Sequence, residues 1–325
     1  GGFMKNWYRW EEKLPVFLVS AILVSSIFFF IASCGNDPQQ KTKNTDKGAF
    51  AIDFSMCPGD MCRIYNDRSP APDVSKPLTV EAWVKSRGTE GGIFSRMDSA
   101  SGVALYVKND EPKFSIRVAT GASTTTPGVT GSVDYIVGSG FTLVRNAWTH
   151  VAGVVANVIH QHPTSTECTS TVMAEKPHLD IYVDGAFQNC ATTWDSTGAN
   201  GDPATGPQFA DNPGGSLLVV GDLLASVDGV SGTIDAVIDE VRVWTTARTE
   251  DDIQDCMDRE LGTGGSCNRG DNNLKLYYRL NEGKEATATD FSGNGLSGSV
   301  FTFTPDEEEW EDGWVKGNTD LKRSD

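Results

Sequence analysis

From residue 48 onward the chain alternates apolar and polar positions with a period of two, interrupted by clusters of turn residues. In LTVEAWVK (78–85) the apolar Leu78, Val80, Ala82 and Val84 fall on one face, and Thr79, Glu81, Trp83 and Lys85 on the other, as in a half-buried strand. GVALYVK (102–108) and KFSIRV (113–118), joined through NDEP, predict a hairpin, and WTHVAGVV (148–155) predicts a further strand. LDIYVDGAFQN (179–189) predicts a hairpin turning on Asp184-Gly185, a pair suited to a turn with two positive φ values. SLLVVGD (216–222), IDEVRVW (238–244) and LKLYYRL (274–280) complete the strand pattern. TEDDIQDCMDREL (249–261) predicts a helix, with Thr249 as N-cap, acids in its first turn and Gly262 just beyond it. Many antiparallel strands and one short helix predict an all-β fold, a two-sheet antiparallel β-sandwich or jelly roll. Polar insertions at 119–140, 157–178, 194–215 and 262–273 are expected as loops. No internal repeat interrupts the pattern, which predicts one domain.

Upstream the pattern changes. Met4 opens a short basic segment (Lys5, Arg9, Lys13, offset by Glu11 and Glu12), and an apolar run extends from Val16 to Ala32. Such a run reaches the length of a marginal transmembrane helix. It ends at Ile31-Ala32-Ser33-Cys34 and turns polar at once. That order resembles the lipobox of bacterial lipoproteins. The resemblance implies a signal peptide over 1–33 and a Cys34 that becomes the lipidated first residue of the mature chain, with palmitate among its acyl groups. Two or more acyl chains hold a protein stably on a membrane. Residues 34–47 then form a flexible tether, 48–316 the folded domain and 317–325 a polar tail. The expected place is the cell envelope. Gly35, where an Asp would favour inner-membrane retention, points to the outer membrane of a diderm cell.

The formal net charge is −17; removing residues 1–33 takes away three basic and two acidic side chains and leaves −18. Such an acidic balance predicts no nucleic-acid partner, because phosphate contacts need a basic surface. Beyond Cys34 six cysteines remain, an even number that predicts disulfides in an exported chain. They fall into three sequence-local pairs, Cys57–Cys62, Cys168–Cys190 and Cys256–Cys267. None has the CxxC spacing of a zinc knuckle or a redox centre.

Taken in order, LTVEAWVK, GGIFSRMD, WTHVAGVV, LDIYVDG, GTIDAVIDEVRVWTTART and LKLYYRLNEGKEATATDFSGNGLSG resemble the LamG-like jellyroll domains. These belong to the concanavalin A-like lectin/glucanase superfamily, with pentraxins and laminin G modules as relatives. The resemblance runs from about Phe50 to Gly298 and implies two packed antiparallel sheets. Some members of that superfamily are glycosidases, carrying alternating carboxylates on one strand face. Here Asp235 and Asp239 share a face but Val237 stands between them, and Glu240 has the opposite parity. The expectation is therefore no enzymatic activity. No GxSxG, HExxH or Walker-type motif is present either. His150 matches a framework position of the family; His160 and His162 form an HxH pair with no evident third ligand, and His178 completes the set.

Trp83, Trp148 and Trp244 sit in strand motifs and are expected in the core, and the resemblance implies an edge strand around Trp310 and Trp314. Trp194, with Asp195, Asp202 and Asp211 in the same insertion, is the candidate ligand contact. Calcium is the expected ion. The resemblance favours it, and DFSGNG (290–295) offers Asp290 and Asn294, with Asp53 expected to approach from the first strand. The 194–215 insertion is a rival site. The expected function is a membrane-tethered, non-catalytic recognition or adhesion module for a glycan or an envelope or surface protein. The alternatives are a structural envelope component, or a glycosidase with an unrecognised carboxylate pair.

Overall fold

The computed structural model describes residues 50–54, 62–67, 77–99, 102–120, 131–156, 178–192, 217–262, 265–283, 286–301 and 314–318. All of them belong to one unit, Gly48–Asp325. Among the described residues no helix is long and apolar enough to cross a membrane. The strands in chain order are β1 (Phe50–Asp53), β2 (Arg63–Asn66), β3 (Leu78–Ser86), β4 (Glu90–Met97), β5 (Gly102–Lys108) and β6 (Glu111–Thr120). Then come β7 (Gly131–Gly138), β8 (Trp148–Ala156), β9 (His178–Val183), β10 (Ala186–Thr192), β11 (Leu218–Val220), β12 (Asp222–Val227) and β13 (Val230–Thr233). β14 (Ala236–Trp244), helix α1 (Glu250–Met257), β15 (Leu274–Tyr278), β16 (Thr287–Ala288), β17 (Gly298–Phe301) and β18 (Trp314–Lys316) complete the order.

Two sheets result. The first runs β10-β9-β8-β3-β14-β1-β18, with β15 also paired to β14; the second runs β16-β17-β2-β11-β4-β5-β6-β7. The β12–β13 hairpin joins the second sheet through a single parallel pairing, Thr233 with Gly92. The face of β3 read from the alternation is the inward one. Leu78, Val80, Ala82 and Val84 lie in the main core with Val151 and Ile238 of their own sheet. Phe94, Leu105, Phe114 and Ile116 meet them from the second sheet. Gly153 is an inward position of β8 where the Phe114 ring of the second sheet lies close: a Cβ there would overlap that ring. Both predicted hairpins form, with positive φ at Asn109 and Asp110 and again at Asp184 and Gly185.

Three expectations need correction. The insertion 119–140 is not all loop, because β6 continues to Thr120 and β7 pairs with it along its whole length. Val133, Tyr135 and Val137 alternate there, and Val137 enters the core with Tyr135 packed against it. The helix stops at Met257, well before Gly262. Its N-terminus is as expected, a capping box of Thr249 and Asp252. At the other end side chains take the last carbonyls: Trp83 Nε1 donates to Met257 O at 2.6 Å and Arg242 Nη1 to Cys256 O at 3.0 Å. The 216–222 segment divides at Gly221 into β11 and the start of β12, because Gly221 has positive φ and a Cβ there would overlap the Phe54 ring. Trp314 is buried in β18, the edge strand the family resemblance implied.

Candidate functional site on the outer face of the second sheet

The outward residues of the first sheet are not a free surface. α1 and the segment after it cover them, packing Ile253 on Ala152, Val154, Tyr182 and Phe187, and Cys256 on Trp244 and Tyr277. A buried charge network lies beneath. Glu81 Oε1 accepts from Trp244 Nε1 at 2.8 Å and Arg248 Nη1 at 3.2 Å, and His150 Nε2 stands 3.5 Å from Oε2. Burial alone would raise the Glu81 carboxyl, but Arg248, the His150 hydrogen bond and Arg242 hold it far below the usual carboxylate range. Arg242 reaches Glu240 at 2.7 Å, and Tyr277 Oη donates to the same carboxylate oxygen at 2.8 Å. Burial leaves the Glu240 carboxyl above its ordinary value in spite of both partners.

Of the DAVIDE carboxylates, Asp239 and Glu240 are buried and taken up by structural partners, whereas Asp235 is exposed. Asp239 accepts from the backbone N–H of Glu240 and Asn318 at 2.9 and 3.1 Å. Asp235 pairs with Arg87 at 3.0 Å. Glu240 faces the network under α1, in a bulge where its φ is +53°. Trp244 is buried as expected, whereas Trp83 and Trp148 are only half-buried. His150 and His178 are buried; His160 and His162 lie outside the described residues.

The three expected calcium ligands are not brought together. Asp53 is ion-paired with Arg87 and pairs with Val237 of β14, whereas the 290 turn attaches through Tyr278 opposite Val241. Asp290 Oδ1 accepts from the N–H groups of Tyr277 and Ser292 at 3.1 and 2.9 Å, and Oδ2 accepts from Leu296 N–H at 2.9 Å. Asn294 turns its amide N–H₂ to the carbonyls of Leu274 and Lys275 at 2.9 and 3.1 Å. Calcium needs oxygens aimed at one point. These residues do not fit it: the Asp290 oxygens are bonded to amides, and the Asn294 side chain presents donors. Among the described residues no group of three or more His, Cys, Asp or Glu could hold a metal ion. Trp194, Asp195, Asp202 and Asp211 lie outside the described residues. So do Cys34, Cys57 and Cys168. The Cys256–Cys267 disulfide is present, and Cys62 and Cys190 are each disulfide-bonded.

The outer face of the second sheet is different. The β12–β13 hairpin lies across its middle, with Leu223, Val227 and Val230 packed on Met97, Ala104 and Tyr106. Lys108 and Lys113 bind Asp228 at the hairpin turn, at 2.9 and 3.5 Å, and Arg117 Nη2 donates to Ser226 O at 2.7 Å. Beyond the hairpin, at β2 and β17, the face presents rings. Register places Tyr65 opposite Ser299 and Arg63 opposite Phe301, so Tyr65 and Phe301 are diagonal neighbours within contact range. Their centroids are 5.3 Å apart with planes inclined by 51°. Phe301 is 53% exposed. Beside them Arg63 Nη1 donates to Asp222 at 2.8 Å while the Arg63 side chain stays 27% exposed.

An exposed Phe301 stacked on the half-buried Tyr65, next to a guanidinium–carboxylate pair, can take an apolar ring face and hydroxyl groups together. The sequence reading missed both rings because they lie in four-residue strands beside segments without clear alternation. The signal was there in RIYN and GSVF, where Ile64 and Val300 turn inward and Tyr65 and Phe301 outward.

Fold and site together define the class: a lectin-type jelly roll, with one sheet face closed by a helix and the other carrying an open aromatic patch. The family model Laminin_G_3, concanavalin A-like lectin/glucanases superfamily, matches residues 66–254, and the chain belongs to that family. Among solved structures it is similar to a Bacteroides ovatus protein assigned to carbohydrate binding. The identity is 18% and the TM-score 0.50, over 85% of this chain and 62% of that one. It is also similar to the heptameric SAP-like pentraxin of Limulus polyphemus, at 16% identity and TM-score 0.40, over 65% of this chain and 82% of that one. Mouse laminin α1 domains LG4–5 match at 15% identity and TM-score 0.38, over 67% of this chain and 48% of that one. No curated protein matches the chain.

Proposed function

We propose that the protein is a non-catalytic recognition module that binds a glycan on the outer face of the second sheet. The exposed Phe301, stacked on the half-buried Tyr65 beside Arg63, carries this reading. Pyranose rings stack their C–H faces on such side chains, and a guanidinium edge donates to hydroxyl oxygens. The assignment of the Bacteroides ovatus relative to carbohydrate binding supports the ligand class. The burial of Asp239 and Glu240 against structural partners supports the non-catalytic part.

The lipobox-like Ile31-Ala32-Ser33-Cys34 step supports a lipid tether at Cys34 and a place in the cell envelope, on the outer membrane of a diderm cell. Replacing Cys34 with Ser then releases the protein from the membrane fraction; unchanged membrane association contradicts the tether. A glycan array probed with the full-length protein tests the ligand class. The expected result is a small set of related glycans bound by the wild type and lost in Phe301→Ala. An empty array, with binding to an envelope protein instead, overturns the glycan reading.

A further inference from the structure

Tyr65 and Phe301 belong to an outward strip that is wider than the two rings. Ile64, Ala288 and Val300 turn into the core, so Tyr65, Ser299 and Thr287 share the outer face. Register sets them in one row across three strands, Tyr65 opposite Ser299 and Ser299 opposite Thr287. Ser299 and Thr287 are both exposed, and each hydroxyl can donate one hydrogen bond and accept others. The neighbouring row sets Arg63 opposite Phe301. The strip thus offers one exposed ring, a half-buried one and, on the side away from the β12–β13 hairpin, two hydroxyls.

The charges of the strip leave no surplus cation. Arg63 is already held by Asp222, whose Oδ2 accepts from Nη1 at 2.8 Å. Asp222 is only 2% exposed, so its charge acts on the guanidinium through less water than a surface carboxylate would. Just past the end of β2, Asp67 is exposed and has no ion pair among the described residues. With Asp67 counted, the strip is net negative. The whole chain carries −17, a field of the same sign that repels polyanions until salt screens it. An anionic sugar would meet these carboxylates and compete with Asp222 for Arg63. An uncharged sugar can stack on Phe301 and bond to Ser299, Thr287 and the N–H groups of Arg63 that Asp222 leaves free.

We propose that this strip selects uncharged, hydroxyl-rich glycans, with Ser299 and Thr287 as binding residues beside Tyr65, Phe301 and Arg63. The proposal rests on the glycan reading above and narrows its ligand class: sugars that bear carboxylate or sulfate groups are rejected.

The test is an array that carries neutral, carboxylated and sulfated glycans side by side, probed with the full-length protein at low and high salt. The bound set should be neutral. In calorimetry its Kd should change by less than about twofold as the Debye length falls from roughly 30 Å at about 0.01 M salt to roughly 3 Å at about 1 M. Ser299→Ala and Thr287→Val should each weaken binding about two- to tenfold, the loss of one hydrogen bond, with the far-UV circular dichroism unchanged. Asp222→Asn removes the charge opposite Arg63 and should add carboxylated glycans to the bound set, with a Kd that rises with salt. Carboxylated or sulfated glycans bound by the wild type would overturn the proposal and leave the glycan reading standing. So would wild-type affinity in both hydroxyl variants, or an Asp222→Asn protein that folds as the wild type does and gains no acidic glycan. An array with no bound glycan defeats the glycan reading itself, and this proposal with it.

Discussion

Glu81 shows how one residue can be legible as a pattern and opaque as an interaction. The alternation of LTVEAWVK places it on the face opposite Val80 and Ala82, which for most strands means solvent. It is in fact fully buried, because α1 and the following segment close over that face, and Arg248, just before the helix, joins Arg242 and His150 beside it. A carboxylate held well below its ordinary range contributes stability that is present above its unfolded pKa and lost as pH falls. Glu81→Gln should therefore destabilise the protein by about 3–5 kcal/mol at neutral pH, since it leaves the buried Arg248 without its carboxylate and removes one of the two that face Arg242. Urea unfolding as a function of pH checks this. The wild-type advantage should shrink below about pH 4, where an unfolded glutamate takes up its proton. An advantage that stays constant down to pH 2 would mean that the ion pairs contribute nothing.

Among the elements, strands with a clean period of two were legible almost to the residue: β3, β5 and β8 differ from their sequence boundaries by one residue or none. Elements whose ends depend on long-range partners were not. Nothing local to 249–261 says that Trp83, 174 positions back, and Arg242 of the preceding strand will take the helix's last carbonyls. β7 was hidden because its pattern begins only at Val133, after a run of Gly and Thr. The Cys256–Cys267 disulfide was legible from spacing, and it ties α1 to the loop that follows, with Cα atoms 5.4 Å apart. Closing so short a loop is worth about 2–3 kcal/mol on a chain-entropy account. Replacing both cysteines with serine should lower the melting temperature and speed hydrogen exchange across 250–273, while leaving β4 to β6 protected as before. Faster exchange throughout the second sheet would show instead that α1 holds the whole sandwich together.

At the scale of the molecule, the two sheets divide the work. One face of the sandwich is sealed by α1 over a buried charge network, and the other is crossed by the β12–β13 hairpin and left open beyond it. The fold was legible because many strands repeat one signal and their motifs occur in a known order. The candidate site was not, because it depends on β2 and β17 lying side by side, although 231 positions separate residues such as Asn66 and Ser297 that bond across this region. The ring pair that register assembles is a tyrosine and a phenylalanine from two distant short strands, and Trp194 lies outside the described residues.

The most direct measurement is a calorimetric titration of one glycan bound by the wild type against Tyr65→Ala and Phe301→Ala. Losing one stacking ring is worth about 0.5–1.5 kcal/mol beyond the area it buries, or up to roughly tenfold in Kd. Each substitution should weaken binding by about that factor or more with the far-UV circular dichroism unchanged. Wild-type affinity in both Tyr65→Ala and Phe301→Ala would contradict it.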